Sequence, residues 1–150
     1  MTTVLISIQS GTVTLTLNRP ERANSFNFEM VNELRNALAD AEQDAQVRCV
    51  VITGGGKVFS AGQDISEMKQ GEKISYREHL ERTYNPLILQ IRKMGKPVVA
   101  AVNGPCAGAA LAWRSLVTCG SPNPLRISWW ALAGLRLRLI RESPCCYRLI

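Results

Sequence analysis

The sequence predicts an α/β domain with at least partly parallel strand pairing, and three observations carry that expectation. Two N-terminal stretches alternate apolar and polar residues, two later runs (residues 49–52 and 97–102) are short and wholly or almost wholly apolar, and a long helical pattern separates those runs. Strand, helix, strand is the order that lets two strands lie side by side in parallel.

Val4-Leu5-Ile6-Ser7-Ile8 and Val13-Thr14-Leu15-Thr16-Leu17 read as half-buried strands of a hairpin, turned at Ser10-Gly11. Pro20 ends the second strand. Asn27 is a good N-cap, and after it Met30, Leu34, Ala37, Leu38 and Ala41 fall on one helical face. Cys49-Val50-Val51-Ile52, closed by Gly54-Gly55-Gly56, has the unbroken apolar character of a strand buried on both faces. Residues 76–94 read as one helix, with Leu80, Tyr84, Leu87, Ile88 and Ile91 along one side. A second buried strand over residues 97–102 is closed by Asn103-Gly104, and small residues then open another helix.

At 150 residues and 46% hydrophobic, the chain suits one domain and is not a disordered tail. No apolar run approaches the roughly 20 residues of a membrane span. The first residues lack the pattern of a signal peptide, which makes a cytoplasmic location the default expectation. The net charge of +6 and the pI near 9.4 would ordinarily suggest nucleic acid or an anionic surface. The charge is not evenly spread, however. Residues 1–112 carry 12 basic and 11 acidic side chains, whereas residues 113–150 carry 6 Arg and a single acid, Glu142. Trp113, Trp129, Trp130, Cys119, Cys145 and Cys146 also lie in that tail, so the chain reads as two unlike pieces.

Gly54-Gly55-Gly56-Lys57 is not a phosphate loop, because Val58 follows the lysine and the spacing to an earlier glycine is wrong. Cys49 and Cys106 fit neither a metal spacing nor a redox pair, and no metal site is expected. Cys49 reads as a small core residue and His79 as a solvated one, too far along the chain to suggest a Cys106–His79 pair. Two small-residue segments remain, Phe59-Ser60-Ala61-Gly62-Gln63-Asp64-Ile65 and Asn103-Gly104-Pro105-Cys106-Ala107-Gly108-Ala109-Ala110. Each follows a strand and enters a helix. Small side chains there suit either backbone N–H donors meeting a ligand or simple close packing, and the residues alone leave both open.

Three motifs add to this. Asn18-Arg19-Pro20-Glu21-Arg22-Ala23-Asn24-Ser25 resembles N-R-P-x-x-x-N-[AS]. Residues 59–65 are similar to F-[SC]-A-G-x-D-[LI]. Lys96-Pro97-Val98-Val99-Ala100-Ala101-Val102-Asn103-Gly104 matches K-P-V-[IV]-A-A-V-N-G. In order and at these spacings, over about residues 2–112, they resemble the enoyl-CoA hydratase/isomerase (crotonase) family. The resemblance implies a crotonase-type ββα spiral, truncated, in an enzyme acting on acyl-CoA thioesters and usually assembled as trimers or dimers of trimers. It implies no metal or redox cofactor, CoA being part of the substrate, and neither nucleic acid nor membrane as partner. Carried over by position, the backbone N–H groups of Gln63 and Ala109 would form an oxyanion hole. Arg22, Ala23, Ala61, Gly62, Gln63, Asp64, Ile65 and Gly108 would line the CoA path. A catalytically inactive thioester-binding module is the alternative, followed by a nucleic-acid or membrane binder acting through the Arg-rich tail.

The sequence also departs from the family. Ala112 stands where many hydratases carry a catalytic Glu, and a methyl group moves no proton. That feature, with Ala61-Gly62-Gln63-Asp64 and Tyr84-Asn85-Pro86-Leu87, is more like the branch containing ring-1,2-epoxyphenylacetyl-CoA isomerase, whose aspartate comes from further along. After Ala112 the resemblance stops. Codons read one frame over, from the last base of one residue and the first two of the next, permit Ala at Trp113–Arg114. The same shift permits Leu-Ala-Cys-Asp-Val-Arg-Ile-Ala across residues 115–122 and Asp-Ser-Gly at Ile140-Arg141-Glu142. Residues 113–150 are therefore expected to be a frameshifted tail, with a genuine divergent C-terminus as the alternative. A core cut short in this way is expected to leave apolar surface open.

Overall fold

A computed structural model describes residues 2–70, 76–110, 139–143 and 146–149. Strands β1 (Val4–Gln9) and β2 (Thr12–Leu17) form the expected antiparallel hairpin, Val4 opposite Leu17. Ser10 and Gly11 both adopt positive φ, 50° and 77°, the left-handed pair whose twist suits a two-residue turn. Helix α1 (Phe28–Gln43) starts where expected, with the Asn27 side chain accepting from the Met30 N–H at 3.0 Å. Met30, Val31, Leu34, Ala37, Leu38 and Ala41 are buried along it. At its other end Lys96 Nζ donates to the Ala41 and Asp44 carbonyls, where a cation meets the negative end of the helix.

Strand β3 (Cys49–Gly54) pairs in parallel with β2 and with β4 (Val98–Ala101), giving the sheet order β1-β2-β3-β4. One face of this sheet holds the core: Val4, Val13, Leu15, Leu17, Val50, Ile52 and Val98 are buried with the α1 side chains above. Full burial of one such side chain stabilises by about 1.5–3 kcal/mol.

Three expectations are corrected. β3 and β4 are not buried on both faces: β3 alternates half-buried with buried positions, Cys49 is half-buried, and Val99 is 45% exposed. Nor is β1 half-buried along its length. It is an edge strand, and beyond Val4 all its side chains are exposed, Ile6 and Ile8 at 56% and 64%. Residues 76–94 form two helices, α3 (Tyr76–Arg82) and α4 (Tyr84–Lys93), which follow α2 (Ile65–Gln70). Pro86 has no N–H to offer the preceding turn, so the chain breaks at Thr83 and restarts with proline in the first turn of α4. His79 lies on α3, its side chain outside the described residues, as are Ala112 and most of the tail. Within the tail, β5 (Leu139–Ser143) and β6 (Cys146–Leu149) pair antiparallel as a separate two-stranded sheet.

Among the described residues no helix is long and apolar enough to cross a membrane, and no group of three or more His, Cys, Asp or Glu is placed to hold a metal.

Candidate functional site

The two small-residue segments lie against each other beyond the C-terminal ends of the parallel strands. A short bridge between Ser60 and Cys106 joins them, and a second, between Gln63 and Phe26, ties the first segment to the chain that precedes α1. Against the first segment packs the turn after β2, where a single 3-10 turn (Pro20–Arg22) leads into Ala23 and Asn24, both at positive φ. A left-handed Asn is tolerated here because its side chain is fully employed. Asn24 Nδ2 donates to the Gly55 and Val58 carbonyls at 2.8 and 2.7 Å, and Oδ1 accepts from the Arg19 N–H at 3.0 Å. Asn24 is wholly buried, so each of these groups would be unpaired without it.

Ser60, also wholly buried, continues the network. Its Oγ donates to the Asn24 carbonyl at 2.8 Å and accepts from the Gly62 N–H at 3.1 Å. The Ala61 N–H donates to the Ala23 carbonyl and the Asp64 N–H to the Phe26 carbonyl, both at 2.9 Å; the Phe26 N–H returns to the Gly62 carbonyl at 2.7 Å. The donors on either side of Gln63 are thus consumed, while the Gln63 N–H has no acceptor among the described residues. In the facing segment the Ala107 N–H donates to the Ser60 carbonyl and the Ala110 N–H to the Ala107 carbonyl. The Ala109 N–H has no acceptor among the described residues.

Gly62 brings the two open donors into one place. A Cβ there would stand 2.8 Å from the Ala107 carbonyl oxygen and 2.9 Å from the Ala109 nitrogen, and φ is +92°. Only glycine fits this approach. Two unpaired N–H groups on neighbouring backbones can together receive one carbonyl or anionic oxygen.

Asp64 is less open to a ligand than its carried-over place on the CoA path suggests. It is 6% exposed and lies 2.9 Å from Arg19 Nη2, while the Ser66 N–H and Oγ donate to its other oxygen. Burial alone would raise its pKa, but the Ser66 hydrogen bonds and the Arg19 guanidinium outweigh that and hold the carboxyl below its ordinary 3.8. Arg19 Nη1 also donates to the Ser25 carbonyl at 2.7 Å. Arg22, Ala61, Ile65 and Gly108 are exposed, and Ala23, Gln63 and Ala109 half-buried. Cys106 is half-buried against the core cluster.

Sequence reasoning quoted Arg19, Asn24, Ser60 and Asn103 in their motifs but assigned them no role. Asn103 clamps the end of β3, accepting from the Gly54 N–H and donating to the Gly54 and Gly56 carbonyls. Tyr84, reached from α4, sets its ring edge-on to Phe26, and its hydroxyl donates to the Phe26 carbonyl at 3.4 Å.

A family model described as enoyl-CoA hydratase/isomerase matches residues 7–116. The chain belongs to the enoyl-CoA hydratase/isomerase family. Over 109 residues it is 45% identical to a 1,2-epoxyphenylacetyl-CoA isomerase of Escherichia coli (strain K12), a match covering 71% of this chain and 42% of that enzyme. A trans-2-decenoyl-[acyl-carrier-protein] isomerase of Streptococcus mutans is 34% identical over 110 residues, with the same two coverages. The crystal structure of an enoyl-CoA hydratase from Bacillus anthracis superposes with a TM-score of 0.70 at 27% identity, covering 76% of this chain and 45% of that one. The fold is the crotonase fold of this family, and the family match spans less than half the length of these relatives.

Proposed function

We propose that residues 1–112 bind an acyl-CoA thioester and hold its carbonyl oxygen on the N–H groups of Gln63 and Ala109, as in a hydratase or isomerase that works through an enolate. The observation that carries this reading is that these two N–H groups lie open beside Gly62 while the donors flanking Gln63 are consumed. Charge moves onto the thioester oxygen when a proton leaves the α-carbon or a nucleophile adds to the β-carbon. Fixed donors stabilise that charge, each by about 2.7–4 kcal/mol. The reading needs no metal or redox cofactor. The likeness to the epoxyphenylacetyl-CoA isomerase favours isomerisation over hydration, in a cytoplasmic enzyme.

Proton transfer is the weak step. Asp64, next to the donor at Gln63, is held ionised by Arg19 and Ser66, and Ala112 offers no acid or base. The 150-residue chain is therefore proposed to bind thioesters with little or no turnover. Calorimetric titration with butyryl-CoA and an assay with crotonyl-CoA test both parts. Binding with negligible turnover is expected; absence of binding overturns the site, and robust turnover overturns the impairment.

Residues 113–150 we read as a frameshifted tail. The family match ending at residue 116 and the shift in composition near 112 support this. An intact alternative reading frame in the DNA across codons 110–115 is expected, and its absence sinks the idea.

A further inference from the structure

The direction of the Gln63 N–H is set from the far side of its own chain. Residues 59–64 run between two neighbours: the Ala61 N–H donates to the Ala23 carbonyl on one edge, and the Ser60 carbonyl accepts from the Ala107 N–H on the other. In a regular strand, carbonyls two residues apart point to the same edge. Here the Ser60 carbonyl faces Ala107, whereas the Gly62 carbonyl faces the opposite edge and accepts from the Phe26 N–H at 2.7 Å. The reversal spans Gly62, whose φ is +92°. A trans peptide unit is planar, so its N–H points opposite to its carbonyl. With the Gly62 carbonyl turned onto Phe26, the Gln63 N–H is turned towards the edge of the facing segment, which bends away after Ala107 through Gly108 at φ +56°. Phe26 also accepts from the Asp64 N–H at 2.9 Å, so it grips the chain on both sides of Gln63. Its own place is fixed by a buried ring set edge-on to Tyr84, whose hydroxyl donates to the same Phe26 carbonyl at 3.4 Å.

We infer that Phe26 is a positioning residue for the oxyanion hole: its N–H holds the reversed Gly62–Gln63 peptide and thereby aims the Gln63 N–H. This rests on the proposed thioester site and deepens it, by naming the group that orients one of its two donors. Without the Phe26 N–H, nothing among the described residues holds the Gly62 carbonyl on that edge, and the Gln63 N–H turns with it. The same hydrogen bond polarises the peptide, which makes its N–H a stronger donor to a thioester oxygen.

Replacing Phe26 by phenyllactate in the 150-residue chain tests this, since it turns the N–H into an ester oxygen and keeps the ring. The matched control is the same replacement at Phe59, also buried, whose N–H donates to the Pro105 carbonyl at 3.0 Å and does not meet the Gly62–Gln63 peptide. Each replacement also weakens the preceding carbonyl, and those of Ser25 and Val58 each accept a side-chain donor at 2.7 Å. In calorimetric titration with butyryl-CoA the Phe26 ester is expected to bind about two- to tenfold more weakly than wild type, and the Phe59 ester within about twofold of it. The amide nitrogen resonance of Gln63, which shares a peptide with the Gly62 carbonyl, is expected to shift in the Phe26 ester and to stay in place in the Phe59 ester. Equal losses of affinity in the two esters, or an unmoved Gln63 resonance in the Phe26 ester, overturn the inference. Failure of the wild-type chain to bind butyryl-CoA overturns the thioester site instead, and the Gln63 resonance then decides the inference by itself. Should the Phe26 ester not fold, the scalar coupling carried across the Phe26–Gly62 hydrogen bond of the wild-type chain decides. A coupling that strengthens when butyryl-CoA is added supports the assignment, and an unchanged one overturns it.

Discussion

Substitution of Gly62 by Ala probes the site where fold and function meet. The added methyl would stand 2.8 Å from the Ala107 carbonyl oxygen and 2.9 Å from the Ala109 nitrogen, whereas ordinary contact begins near 3.4 Å. Both obstacles are backbone, so the two segments must part by about 0.5 Å, and a close-packed interior resists that. The positive φ adds about 1–2 kcal/mol for a residue with a Cβ, and overpacking typically adds about 1–3 kcal/mol. Gly62→Ala is therefore expected to lower unfolding stability by about 2–5 kcal/mol. Donors act on an oxygen within a window of about 2.7–3.1 Å, so a displacement of this size takes the Ala109 N–H off its target. Loss of one net hydrogen bond, about 1 kcal/mol, weakens butyryl-CoA roughly fivefold. Urea unfolding and calorimetric titration read the two effects. Gly95→Ala is the control, since a Cβ there meets nothing within 4 Å and the change should stay within about 0.5 kcal/mol. If Gly62→Ala matches Gly95→Ala in both measurements, the close approach is not what holds the donors.

Three further outcomes follow from the same geometry. Asn24→Ala strips partners from the Gly55 and Val58 carbonyls and the Arg19 N–H, and should cost about 2–4 kcal/mol in urea unfolding. Asp64 has a folded pKa below its ordinary 3.8, so its contribution is complete above that value and is lost as pH falls through the lower folded value. Acid unfolding followed by circular dichroism should show this loss below about pH 4, and Arg19→Met should already lower stability at pH 7 by about 1.5–3 kcal/mol. Leu38→Ala, in the buried stripe of α1, should cost about 2–5 kcal/mol by the same denaturation measurement.

What the sequence made legible was local. Ser10-Gly11 specified a turn, Asn27 a helix start, and the spacing of Met30, Leu34 and Leu38 a buried face, because each depends on neighbours within a few residues. The break at Thr83 is legible too, since Pro86 interrupts a helix whatever the apolar periodicity around it. Exposure of Val99 and Ile8 was not, because an apolar run reports what a strand can bury and says nothing of whether anything covers it. Least legible was the role of Asn24 and Ser60. Their hydrogen bonds reach carbonyls more than thirty positions away as well as nearby N–H groups, and only the motif resemblance marks those positions.

The site is built from backbone, which decides how it can fail. Side chains of Asn24 and Ser60 consume N–H groups and carbonyls around the turn, leaving the N–H of Gln63 open, and Gly62 sets the N–H of Ala109 beside it. Replacing the Gln63 or Ala109 side chain leaves both donors in place, whereas changes at Asn24, Ser60 or Gly62 move them. The positions most sensitive to substitution are therefore buried residues that touch no ligand. Every contact in this set lies within residues 19–110, ahead of the point near 112 where composition shifts. The proposed thioester site thus draws on residues 19–110 alone, and the proton transfer of an isomerase needs a group those contacts do not contain.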